Sequence, residues 1–403
     1  MIRNSLRRFS RSARTRAFRA GLLLFALLCT VDLISLISAR QNQNLPAKAP
    51  DVRGQKIFIA SIHWNNEPVL RSNWNQAVLG LVDYFGAENV YVSVYESGSW
   101  DDSKEALRAL DNELGRKGVR RTVKLDETTH ADELKQPATD GWIQTPRGKK
   151  ELRRIPYLSK LRNVALQPLN SLGNSTKFDK VLFLNDVVFT TEDVTTLIAT
   201  RDGDYSAACS LDFAKSPRYY DTFALRDSDG HEAVTSTFPY FRSKASRNAI
   251  ISGHPVPVQS CWNGIVAFDA APFYDPNHLQ FRGVPDSLAL HHVEGSECCL
   301  IHVDNPLTQS HGVWLNPNVR VGYSPEAYAA IKSASAWPSM GQSLVGVWSN
   351  RFWRRTTSTK IKSLRINGRL KSWTKGGADR SERGKFCLIN EMQVLIENGW
   401  AHV

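Results

Sequence analysis

Apolar positions along the chain fall into two periods that alternate. Lys56–Ile62 (KIFIASI) and Asn89–Tyr95 (NVYVSVY) are short β-branched and aromatic runs, the pattern of buried strands. Between them, after Pro68, Val69, Leu70, Trp74, Val78, Leu81 and Val82 recur at helical spacing. A second helix is predicted over Ser103–Arg116, with Leu107, Leu110 and Leu114 on one stripe, followed by a strand over Val119–Leu125. Such alternation predicts an α/β fold with a mostly parallel sheet and covering helices. Residues 126–150, rich in Thr, Asp, Lys and Gly, read as a long loop. Arg153–Leu172 then shows a helical stripe of Ile155, Leu158, Leu161, Val164, Ala165 and Leu169. Beyond it come a strand from Lys180 that ends at Asn185-Asp186, apolar runs at Asp204–Ser210, Gly264–Asp269 and Glu294–Asp304, and a short amphipathic piece at Phe386–Ile396.

The first sixty residues set the topology. Gly21–Ala39 is a run of 19 residues whose only charge is Asp32, and it follows seven arginines with no acid. Its length spans a bilayer core, and the basic flank predicts a cytosolic N-terminus with the rest of the chain on the other side. The run reads as a signal anchor rather than a cleaved signal peptide, because no small-x-small site precedes Arg40. The expected division is a basic tail (1–20), an anchor (21–39), a stem (40–55), one large folded domain (56–350) and a basic C-terminal extension (351–403) that reads as a flexible or surface segment. A sequon at Asn174-Ser175-Thr176 suits a secretory lumen. So do Cys209, Cys261, Cys298, Cys299 and Cys387, of which some should pair in an oxidising space and one is left over.

Composition narrows the class. With 403 residues, 42% of them hydrophobic, the chain can bury a large core, which excludes global disorder. The net charge of +12 is carried by the two ends: residues 351–385 alone hold twelve Lys and Arg against Asp379 and Glu382. A nucleic-acid reader would place its cations on an ordered face, so no nucleic-acid partner is expected.

The candidate chemistry gathers around carboxylates that follow strands. Asp186, at the carboxyl end of an apolar strand, points to the crevice where α/β sheets hold ligands and is the leading metal ligand. An N-cap for a helix starting near Thr191 is the structural alternative. His302, flanked by Asp304, follows another apolar run and could close the same metal site from a second strand end. Glu294 and Glu297, three apart, and Asp212 could accept hydrogen bonds from sugar hydroxyls, or be plain surface charges. Trp262 beside Asn263 and Gly264 offers an aromatic face suited to a pyranose, or a core tryptophan. Arg162 is the preferred cation for a diphosphate, with Arg153 and Arg154 left to a solvated face.

Taken together, FLNDVVF (183–189), AACSLDF (207–213), PVPVQSCWNGIVAFDA (255–270), EGSECCLIH (294–302) and WLNPNVRVGY (314–323) resemble the fungal capsule-associated α-1,3-mannosyltransferases, over roughly residues 56–330. The resemblance implies a GT-A type fold, GDP-mannose as donor, a mannoside or polysaccharide acceptor, a divalent cation such as Mn2+, and a type II Golgi membrane protein. It also implies roles. Asp186 and Glu297 are expected to be catalytic, and Asp186 with His302 to bind metal. Asn185 should meet the donor; the residues' own chemistry, as read above, adds Arg162 and Asp212 to the donor and assigns Trp262, Asn263 and Glu294 to the acceptor. The DxD signature is degenerate, since Leu184-Asn185-Asp186 keeps only its last carboxylate. That departure leaves a rival reading, a catalytically silent lumenal subunit that binds glycans.

Overall fold

Strands form where apolar residues run without interruption, because both faces of the sheet are buried. The computed structural model describes residues 2–41, 51–172, 176–276, 278–332 and 338–403. The sequon residues Asn174 and Ser175 and most of the expected stem lie outside them. Helix α1 (Ile2–Gln41) comes first, and within it Thr15–Ala39 is long and apolar enough to cross a bilayer. There follow β1 (Ile57–His63), α2 (Asn75–Phe85), β2 (Val90–Ser97), α3 (Ser103–Arg116) and β3 (Arg120–Asp126). The segment read as a long loop holds a small hairpin, β4 (Trp142–Gln144) and β5 (Lys150–Leu152). Next are α4 (Arg154–Ser171), β6 (Lys180–Leu184), α5 (Thr191–Ile198), β7 (Ala207–Phe213), β8 (Arg226–Asp227), β9 (Val256–Ser260) and β10 (Ile265–Asp269).

The Glu294–Asp304 run is a two-residue strand, β11 (Glu294–Gly295), followed by a helix, α6 (Glu297–Asp304). Strand β12 (Val313–Gly322) completes a nine-stranded sheet of order β3-β2-β1-β6-β10-β7-β12-β9-β8. Only β10 and β9 run against the other seven, so the sheet is mixed and mostly parallel, as expected.

The strand period of two sorts side chains onto opposite faces. Phe58, Val181, Phe183, Val266 and Phe268 pack with Leu161, Ala165 and Leu169 of α4. Ile57, Ile59, Leu182, Leu184 and Ile265 pack with Val78 of α2, Leu107 of α3 and Leu197 of α5. Helices thus cover both sides of the sheet. Gly264 sits where β10, β7 and β12 close up: its φ is +90°, and a Cβ there would lie 2.5 Å from Val321 Cγ2.

The basic C-terminal extension is folded onto the domain. It forms α7 (Met340–Thr356), α8 (Lys360–Thr374), β13 (Leu388–Ile389) and the hairpin β14 (Gln393–Ile396) with β15 (Gly399–His402). Leu370, Trp373, Leu388 and Met392 are buried against Ile143, Leu288 and Leu300, and β13 pairs with β11. Two disulfides, Cys209–Cys261 and Cys299–Cys387, leave Cys298 as the odd thiol. The second crosses from α6 to the extension and anchors it covalently.

Candidate functional site

The carboxyl ends of β1 and β6 and the loops after β7 and β12 meet along one edge of the sheet, the place where open α/β sheets hold ligands. There they line a cleft of about 510 Å³ with α4, the start of α6 and the β14–β15 hairpin. Asn185 and Asp186 form its floor, fixed by two tryptophans. Trp74 Nε1 donates to the Asn185 carbonyl at 3.0 Å and Trp262 Nε1 to Asn185 Oδ1 at 2.9 Å. Asp186 Oδ2 accepts from Asn66 Nδ2 at 2.8 Å. Asn66 in turn accepts from Trp64 N at 2.8 Å, shares a 3.3 Å contact with His63 Nδ1, and donates its backbone N–H to Ser103 Oγ at 2.8 Å. The Asp186 carboxylate keeps some access through the cleft but is ringed by protein, and this desolvation pushes its pKa up to about 6. Thr190 caps the helix at Thr191, so Asp186 is free of the capping role that the sequence left open.

Arg162 lies on the adjoining wall. Its Nε donates to Glu297 Oε1 at 3.1 Å and its guanidinium covers the Trp262 ring at 4.5 Å. Arg162 Nη1 is buried with no protein partner. Such an orphaned cationic donor is costly unless an anion meets it. Glu297 and the Cys298 thiol, which burial pushes well up, complete this wall.

Three expected site residues stand behind the cleft surface. Asp212 is fully buried and accepts from Asn263 Nδ2 at 3.0 Å, Tyr323 Oη at 3.0 Å and Asp221 N at 3.2 Å; burial and the Asp221 charge raise its pKa. Asn263 also donates to the Asp221 carbonyl at 3.1 Å. The pair therefore braces the Tyr220–Thr222 turn, which is what reaches the cleft. Glu294 is buried in a two-pronged ion pair with Arg153, at 3.0 and 2.8 Å, where neither carboxylate oxygen is left for an acceptor sugar. Trp262 lines the cleft, but Arg162 occupies a ring face, so it positions Asn185 and Arg162 rather than offering an open platform.

His302 differs most from its expected place. It lies inside α6 instead of at a strand end, fully buried, with Nε2 2.7 Å from the Cys261 carbonyl and its ring stacked on Phe268. Burial lowers its pKa to about 4. Among the described residues the one close group of three potential metal donors is His302 with Cys209 and Cys261, and those two sulfurs are tied in a disulfide. His302 does not line the cleft that holds Asp186.

The cleft also contains groups that periodicity could not single out. Asp221 presents a second carboxylate, its Oδ1 accepting from Phe223 N and Ala224 N at 2.9 and 3.2 Å. Arg154 stacks on Trp400 at 3.7 Å and donates to Gln393 Oε1 at 2.6 Å. Trp64, stacked on His130 at 4.3 Å, forms an aromatic side wall. The donor set suits a hard divalent cation: Asp186 and Asp221 line the cleft, neither in an ion pair with a lysine or arginine among the described residues, and oxygen is what such ions prefer.

The family described as cryptococcal mannosyltransferase 1 matches residues 56–304. An α-1,3-mannosyltransferase of Cryptococcus neoformans is 24% identical over 311 residues, 72% of this chain and 61% of the relative, so the chain spans less than two thirds of that relative's length. Among solved structures, a Pyrobaculum calidifontis mannosyltransferase in complex with GDP-Man and Mn2+ aligns with TM-score 0.38 at 12% identity, covering 89% of this chain and 88% of that one. Staphylococcus aureus TarS in complex with UDP aligns with TM-score 0.38 at 14% identity, covering 79% and 80%. The ligands in those crystals are properties of those proteins.

Proposed function

Since the chain belongs to the cryptococcal mannosyltransferase 1 family of glycosyltransferases, we propose that its cleft transfers mannose from GDP-mannose to a mannoside or polysaccharide acceptor, forming an α-1,3 linkage. The observation that carries this reading is the pairing on one cleft of a desolvated carboxylate, Asp186, which has no ion pair among the described residues, with a buried guanidinium N–H on Arg162 that has no partner among them. A diphosphate bridged to a divalent cation satisfies both at once.

Asp186, with Asp221 of the same cleft, would hold the cation, which when bound neutralises charge building on the departing diphosphate. Arg162 donates from its free Nη1 to a phosphate oxygen, and Arg154 adds a second cation farther along the cleft. Glu297 keeps the Arg162 guanidinium in place. Transfer from an α-linked donor to an α-linked product retains configuration, and we read it as a front-face displacement. The acceptor oxygen bonds to the anomeric carbon as the carbon–phosphate oxygen bond breaks, and the acceptor proton passes to that leaving oxygen. Fixed charges aimed at the leaving group supply most of the acceleration. In this reading the fold is of GT-A type, the cation is Mn2+, and the domain faces the Golgi lumen behind α1.

Incubating the full chain with a panel of nucleotide sugars and mannosides, with and without Mn2+, tests the proposal. GDP-mannose should be the one donor consumed, and only with the metal present. Retained glycan binding without turnover of any donor would instead establish the silent-subunit reading that the single carboxylate after Leu184 keeps in play.

A further inference from the structure

We infer that α7 and α8 form an interfacial platform that rests on the anionic surface of the membrane crossed by α1, on the side of the folded domain. The inference depends on residues 21–39 being a membrane span, as the proposed topology holds.

Large apolar side chains are left uncovered on these two helices: Val345 is 70% exposed, Phe352 58%, Trp353 46%, and Ile361 and Leu364 70% each. The same stretch is strongly cationic. Residues 338–378 hold nine Lys and Arg and no Asp or Glu. A solvated helix face mixes charges of both signs and does not display aromatics. Tryptophan, phenylalanine and leucine interleaved with one-signed basic residues are the composition of helices that lie in a bilayer interface, where the long basic stems let the charge reach headgroups.

The platform is fixed on both sides. Towards the domain, Gly346 meets the Phe238 carbonyl so closely that a Cβ there would collide, and Asn350 Nδ2 donates to the Phe241 carbonyl at 3.2 Å. Trp373 and Leu370 of α8 are buried in the satellite core. Towards the anchor, Arg351 donates two hydrogen bonds to Asp32, at 3.0 and 2.9 Å. Its guanidinium also covers Trp348 at 4.4 Å, and the Trp348 ring lies 5.0 Å from Phe25. Cys29, Asp32, Leu33 and Leu36, the less exposed positions of α1, form one helical stripe towards α7.

This geometry accounts for the one charge in the apolar run and sets a depth. Asp32 lies seven residues before Ala39, about 10 Å along the helix. Its partner turn of α7 is therefore held about 10 Å below the end of the apolar run, the depth to which interfacial helices sink their apolar face, with Phe352 and Trp353 beside it. The occupant that fits is an anionic phospholipid surface continuous with the bilayer around α1.

The full chain, reconstituted in vesicles with Cys29 and Cys298 replaced by Ser, carries a fluorophore on Leu364→Cys or, separately, Phe352→Cys. Nitroxide-bearing lipids should quench both labels in vesicles containing phosphatidylserine, while aqueous acrylamide should not. Arg365→Gln should lower the docked-to-undocked ratio about fivefold, the worth of one basic residue near such a surface. Reversing Arg354, Arg355, Lys362 and Arg365 together should return quenching to the level seen in neutral vesicles. A chain that resists carbonate extraction but whose labels stay open to acrylamide overturns the platform and leaves the anchor standing. A chain that carbonate releases removes the anchor reading and the platform with it. Shielding of the labels by an acidic polysaccharide, with none by lipid, would make the partner a polyanionic glycan and overturn the inference.

Discussion

Asp186 is held by contacts that order its loop without neutralising it: two indole N–H groups grip Asn185, and a single amide meets the carboxylate. A charge kept desolvated in this way costs stability, and carboxylates so perturbed cluster at functional sites. His302 illustrates the opposite case, a titratable group buried for packing. Its folded pKa is about 4 against an ordinary 6.5, so between those values the unfolded chain binds more protons and stability rises with pH. The contribution is complete above about pH 6.5 and is lost as pH falls towards 4, a change on the order of 3 kcal/mol. Asp186 and Asp212, shifted upward, act in the reverse sense, so the difference between wild type and His302→Gln is the informative quantity. Thermal melts from pH 7 to 4 should show a flatter decline in the variant; parallel declines would mean that His302 is not buried neutral. At this scale the sequence pointed to Asp186 through the end of an apolar strand, and the structure brings it into one cleft with Arg162, from the middle of α4, and Glu297, at the start of α6. The sequence misplaced Arg153 and Arg154, both read as solvated: Arg153 is the extended residue before α4 and is buried against Glu294, while Arg154 opens the helix and enters the cleft. Asp221 had no signal, lying in a turn without periodicity.

Among the elements, the C-terminal hairpin changes the picture most. Gln393, Leu395, Trp400 and His402 line the cleft, so the extension completes the site rather than trailing from it. The Cys299–Cys387 bond closes a separation of 88 residues, and a loop of that size restricts the unfolded chain by about 4 to 5 kcal/mol in the chain-entropy account. Cys387→Ser should therefore lower the melting temperature by several degrees. Because β13 pairs with β11, just before Glu297, which holds Arg162, the variant should also weaken donor binding more than acceptor use. A lower melting temperature with unchanged donor KM would separate the hairpin from the site. The strands of the sheet were legible because burial on both faces leaves uninterrupted apolar runs. The extension was not, because its many cations mask the few residues, Leu370, Trp373, Leu388 and Met392, that pack inward. The Glu294–Asp304 run misled for a related reason: a buried helix of eight residues is apolar all round and shows no helical period.

Across the whole molecule, in the proposed reading, the sheet edge and the unpaired carboxylate serve one process: a nucleotide sugar enters a cleft floored by Asn185 and Asp186 and bordered by the β14–β15 hairpin. The central claim is that Asp186 holds the cation against the donor diphosphate. Calorimetric titration of the full chain with GDP-mannose, in Mn2+ and then in a chelator, tests it most directly when repeated with Asp186→Asn, which keeps the Asn66 hydrogen bond. Wild type should bind about tenfold or more tighter with the metal, or at least about 1.4 kcal/mol. The variant should bind equally weakly in both conditions, with an unchanged or higher melting temperature. A variant that keeps the full metal-dependent gain would contradict the account.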